Sequence, residues 1–79
     1  MTDPAQALVE SEKLKASAED CQGIINDLER LIEELPTYWE GVSANMFVQN
    51  NQQVIESLKG IKGNMLQISD EIKALAALP

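Results

Sequence analysis

Apolar residues recur at alternating steps of four and three on both sides of one short interruption, and that spacing constrains the fold more than anything else in the sequence. On the N-terminal side the series is Leu14, Ala18, Cys21, Ile25, Leu28, Ile32 and Leu35. On the C-terminal side it is Phe47, Asn51, Val54, Leu58, Ile61, Met65, Ile68, Ile72 and Leu75. Steps of this kind place every member on one stripe of an α-helix, as in a heptad seam. Ile24 and Leu31 widen the first stripe, and Val48 and Ile55 widen the second. A widened stripe suits a bundle of several helices better than a two-stranded coil.

The interruption fixes the topology. Asp3-Pro4 reads as a helix start, with Asp3 as the cap and Pro4 at the first helical position. Pro36 ends that helix, because the residue before a proline is pushed out of helical geometry. Gly41 gives the chain freedom to reverse, and Ser43 is the expected cap of the second helix. The expected segments are a helix over about 3–35, a turn over 36–42 and a helix over about 43–78, one domain over 1–79. Helices of about 33 and 35 residues are each near 50 Å long. With so short a turn they must fold back as an antiparallel hairpin. The fold class is all-α.

Composition narrows the possible functions. The chain has 79 residues, no His, a single Cys and a net charge of −7. The usual zinc sets and His-based catalysis are therefore unavailable, and no internal disulfide framework exists. No paired nucleophile and base and no Gly-rich phosphate loop occurs, so neither an enzyme nor a cofactor is expected. The acidity argues against nucleic acid as a partner. No apolar run approaches the roughly 20 residues of a membrane span. The N-terminus shows neither the basic region nor the apolar core of a cleaved signal peptide. The charge is lopsided: residues 1–35 carry nine acids and three bases, net −6, and residues 36–79 four acids and three bases, net −1.

Single residues carry further expectations. Cys21 lies in the seam, where a small buried hydrophobe is expected rather than a reactive thiol. Asn51 interrupts the second seam and reads as a register device. Gly60 and Gly63 fall on the outer face and mark a locally weak stretch of helix. Glu33-Glu34 and Asp70-Glu71 are adjacent carboxylates that splay about 100° apart on a helix and do not converge on a substrate.

The middle of the chain reads Tyr38-Trp39-Glu40-Gly41-Val42-Ser43-Ala44-Asn45-Met46-Phe47. A Trp-X-Gly between two matched heptad helices, with a small residue (Ser43) two after the glycine and an aromatic (Phe47) eight after the tryptophan, resembles the WXG family. These are small early-secreted-antigen-like proteins exported by type VII secretion systems. The resemblance spans essentially the whole chain. It implies a hairpin that dimerises, with itself or with a related hairpin, into a four-helix bundle exported folded and without cleavage. Trp39, Gly41 and Phe47 would then form the turn and secretion motif. Trp39 has two compatible roles, packing at the hairpin tip on Leu35 and Phe47 or forming half of a recognition site with the partner's tail.

The expected bundle core comprises Leu14, Cys21, Ile24, Ile25, Leu28, Leu31, Ile32, Leu35, Val54, Leu58, Ile61, Met65, Ile68 and Ile72. The family's Tyr-X-X-X-Asp/Glu export signal has no match in residues 72–79, which hold no Tyr. That leaves the signal to a longer chain, to the partner, or to a system that does not use it. The resemblance thus implies a non-catalytic protein, cytoplasmic before export and secreted afterwards. Its further expected contacts are a larger cargo, such as a toxin, for which it is the targeting adaptor, and the secretion ATPase. The rival from another class is an intracellular coiled-coil regulator or scaffold subunit.

Overall fold

The computed structural model describes residues 3–35 and 41–79, apart from the side chains of residues 42 and 43. Two helices form an antiparallel hairpin: α1 (Pro4–Glu33, 30 residues) and α2 (Val42–Ala76, 35 residues). The hairpin measures 61 × 15 × 14 Å. Its radius of gyration is 18.0 Å, where a compact domain of this length has about 12 Å. The shape is a rod two helices wide.

The ends of the helices follow local chemistry. Asp3 is extended, and its side-chain oxygen accepts the Ala5 N–H at 3.1 Å, with Pro4 opening the first turn. At the other end of α1 the Glu34 N–H still reaches the Arg30 carbonyl at 2.9 Å, while Leu35 reaches only the Ile32 carbonyl, at 3.4 Å. Helical geometry is thus lost just ahead of Pro36, as the steric rule requires. The start of α2 corrects one expectation. Its cap is Gly41, not Ser43, which already lies in the first turn. Gly41 has φ 99° and ψ −169°, a region essentially reserved for glycine, and its carbonyl accepts the Asn45 N–H at 3.1 Å.

Two glycines should therefore respond oppositely to alanine. A side chain at Gly41 meets nothing within 4 Å, so backbone strain alone sets its cost, about 1–3 kcal/mol. Gly60 lies inside α2 with open space around it, and Gly60→Ala should stabilise by about 1 kcal/mol. At about 4–8 °C per kcal/mol, thermal melts followed by circular dichroism should separate the two variants clearly. Shifts of the same sign would contradict the assigned backbone at Gly41.

The core between the helices is thin. From α1 it takes Ser11, Leu14, Ala18, Cys21, Ile25, Leu28 and Ile32, among which Ser11, Ala18, Cys21 and Ile25 are buried. From α2 it takes Val48, Asn51, Ile55, Leu58, Lys62, Met65, Ser69, Ile72 and Ala76, with Ile55 and Ser69 buried. Small residues dominate one half, where the Ser69 hydroxyl donates to the Ser11 carbonyl at 2.9 Å and the Ser11 hydroxyl donates to the Leu8 carbonyl at 3.0 Å. In the middle the Cys21 thiol faces the Leu58 carbonyl at 3.6 Å.

This differs from the sequence reading of α2. Asn51, Leu58, Met65 and Ile72 face α1 as expected, but the alternating members Val54, Ile61, Ile68 and Leu75 do not. Ile55, Lys62, Ser69 and Ala76, each one residue further on, take their places. The reason is steric. Ser69 packs on Ser11, and Ala76 shares a groove with Pro4 and Ala7; where α1 presents such small residues, a short side chain fits better than isoleucine. Asn51 is no cross-seam register device either: its amide donates to the Phe47 carbonyl of its own helix at 2.8 Å.

Candidate interaction face

The displaced apolar residues are not scattered. Ile24 and Leu31 each precede a seam residue of α1, and Val54, Ile61 and Ile68 each precede one of α2. In two right-handed helices running antiparallel, the residue preceding such a seam position lies on the same side of the pair. Both stripes therefore line one long side of the hairpin. Their exposure runs from 46% at Ile61 to 51% at Leu31, and Leu75 continues the stripe at 68%. Phe47 begins the α2 stripe and is half-buried. At the open end the stripe runs into a shallow apolar groove lined by Pro4, Ala7, Ile72, Leu75, Ala76 and Leu78.

The opposite long side is mostly polar, with Leu8 and Leu66 as its apolar members. There Lys62 donates to the Gln22 side-chain oxygen at 2.6 Å, and Lys73 pairs with Glu12 at 3.1 Å. Nearer the turn a groove is lined by Glu29, Ile32, Glu33, Gln52, Ile55, Glu56 and Lys59. The hairpin is therefore two-faced about its length. A free-standing hairpin would be expected to show polar residues on both flanks.

The surface area leads to the same conclusion. The hairpin exposes 5919 Å², against about 4,700 Å² for a compact monomer of this mass. The excess, about 1,200 Å², exceeds the roughly 800 Å² that one partner contributes to a standard interface. An isolated apolar residue on a surface is ordinary, but a continuous stripe along two helices marks a contact site.

The expected core residues therefore fall into two groups. Leu14, Cys21, Ile25, Leu28, Ile32, Leu58, Met65 and Ile72 lie between α1 and α2, and half-buried Leu35 follows α1. Ile24, Leu31, Val54, Ile61 and Ile68 stand on the open apolar side. Of the turn motif, Gly41 and Phe47 are placed as described above, whereas Trp39 lies outside the described residues. Sequence reasoning missed Ser11 and Ser69, although each continues a seven-residue series, Ser11 with Ala18 and Ile25, and Ser69 with Lys62 and Ile55.

Among the described residues no group of three or more Cys, Asp or Glu side chains gathers to hold a metal ion. No described helix is long and apolar enough to cross a membrane.

A thin-cored helical hairpin with one apolar side is an interaction module. The chain belongs to the WXG100 family, proteins of 100 residues with WXG, whose pattern it matches over residues 1–78. No curated protein and no solved structure gives a match. Membership makes it a small helical protein of the type VII secretion kind, from a family whose members typically pair with helical partners and are in general non-enzymatic.

Proposed function

We propose that this chain is a type VII secretion substrate that leaves the cell paired with a second helical hairpin and acts as a targeting adaptor for a larger cargo. The observation carrying the proposal is the apolar side formed by Ile24, Leu31, Val54, Ile61 and Ile68. A second hairpin laid along it completes a four-helix bundle, and those residues become its shared core. Covering one such half-exposed side chain contributes about 1 kcal/mol, so the five together supply much of the stability of a small domain. The thin α1–α2 core, with Ile25 and Ile55 as its large buried side chains, holds the lone hairpin together, and pairing adds to that stability.

In this proposal Trp39 serves export more than folding. In the sequence it falls between the two heptad series and belongs to neither, and in this proposal the Trp-X-Gly segment is what the secretion machinery reads. Trp39→Ala should leave helicity and pairing intact by circular dichroism and light scattering while lowering abundance in the culture supernatant at least tenfold. A variant exported like wild type would reduce Trp39 to a packing residue. If wild type itself stays in the cell when produced with its gene neighbours, the chain is an intracellular scaffold and the export proposal fails.

A further inference from the structure

The groove on the polar side, nearer the turn, is built differently from the rest of that side. Its bottom is formed by two seam residues, half-buried Ile32 of α1 and buried Ile55 of α2. Its walls carry Glu29 and Glu33 from α1 and Glu56 and Lys59 from α2, all exposed. Three carboxylates against one ammonium leave those walls with a net charge of −2. The groove holds about 490 Å³, within the range of about 300–1,000 Å³ that binding clefts occupy.

Farther along the same side, polar side chains bridge the two helices. Lys62 reaches Gln22, and Lys73 reaches Glu12. No such bridge closes the groove. Among the described residues Glu29, Glu33, Glu56 and Lys59 make no ion pair and no side-chain hydrogen bond.

An apolar bottom between acidic walls complements a side chain with an aliphatic stem and a cationic head, as in Lys and Arg. Arg fits best, because its planar fork pairs with carboxylates at two points. A metal ion does not fit, since it needs oxygens converging on one point and these carboxylates stand apart along the walls. An acidic partner would be repelled.

We infer that this groove docks a basic segment of another protein, one that sets an Arg or Lys among Glu29, Glu33 and Glu56 and an adjoining apolar residue on Ile32 and Ile55. The groove lies on the side away from Ile24, Ile61 and Ile68. It therefore stays open when that apolar side is covered, and the inference needs neither pairing nor export to hold.

The probe is a short capped peptide with arginine on either side of a single leucine in an otherwise alanine and serine chain. It is titrated into the isotope-labelled protein at about 0.02 M and about 0.5 M salt, where screening is weak and strong respectively. At low salt the amide shifts should centre on Ile32, Glu33, Ile55 and Glu56. Replacing the leucine of the peptide by serine, or its arginines by glutamate, should weaken the response.

Exposed ion pairs are individually weak, so the test removes three together. Glu29→Gln, Glu33→Gln and Glu56→Gln combined should weaken binding at least tenfold at low salt, with the gap to wild type closing at high salt. Lys59→Gln should tighten it. Glu19→Gln, Asp20→Asn and Asp70→Asn combined make the same change in net charge outside the groove and should leave the affinity within about twofold. All seven side chains are exposed, and circular dichroism verifies that each variant keeps its helices. Shifts centred on Ile24 and Ile61, an equal loss in the two triple variants, or no shift at any residue would each overturn the inference.

Discussion

Ile25→Asp abolishes the cooperative melt of the hairpin. Ile25 is 0% exposed and stands in the middle of the α1 seam. Truncating such a side chain alone costs about 2–5 kcal/mol. Aspartate adds an unpaired charge to the seam, for which the nearby thiol of Cys21 and side chain of Ile55 provide no compensation. A domain this small has a total stability near the low end of about 5–15 kcal/mol. The expected result is a helical signal that is low at 25 °C and falls without a sigmoidal transition. A melt within a few degrees of wild type would show that Ile25 is not central to the seam.

Ile61→Asp combined with Ile68→Asp has the opposite signature. Both residues are about half exposed in the hairpin, so the helices keep their mutual contacts and the lone chain stays helical. Association, with another hairpin or with itself at high concentration, falls at least a hundredfold. Each substitution forfeits about 1 kcal/mol of apolar burial and adds the larger cost of placing a carboxylate in an apolar contact. Sedimentation and circular dichroism on the same sample distinguish the two effects. A double variant that unfolds outright would place Ile61 and Ile68 against α1, contrary to the structure.

The contrast between these substitutions shows what the sequence makes legible. In α1 the most apolar heptad positions are also those nearest α2, so Cys21, Ile25 and Leu28 are readable from spacing alone. In α2 the two criteria separate. Hydrophobicity selects Val54, Ile61 and Ile68, while the close approach of α1 selects Ile55, Lys62 and Ser69. A pattern of apolar residues reports what the finished assembly buries, not which neighbour does the burying.

Small and polar members of the seam carry little hydrophobic signal, which hides Ser11, Ser69 and the half-buried Lys62. Their hydroxyl and ammonium groups are satisfied by the Ser11 carbonyl, the Leu8 carbonyl and Gln22. The partners across the seam, the Ser11 carbonyl for Ser69 and Gln22 for Lys62, become visible only once the two helices are placed side by side. The cap at Gly41 was hidden for a related reason. Gly41 is readable as the turn residue and Ser43 has the side chain that capping favours, but that the helix already starts at Val42, with Gly41 as its cap, shows only in the backbone. The one-sided distribution of apolar residues also needed the fold, because Ile24 and Ile61 belong to the same surface only in an antiparallel pair.

The central claim is that the side carrying Ile24, Ile61 and Ile68 is covered when the protein works. Isoleucine methyl groups can be observed by nuclear magnetic resonance while a soluble paramagnetic probe reports their exposure to solvent. The measurement compares the dilute chain alone with the complex isolated from producing cells, using Leu66 and Ala16 methyls as references outside the apolar side. The account predicts strong probe relaxation of the Ile24, Ile61 and Ile68 methyls in the lone hairpin and its loss in the complex, with the references unchanged. Methyls of Ile24, Ile61 and Ile68 that remain as exposed in the complex as in the lone chain would contradict it.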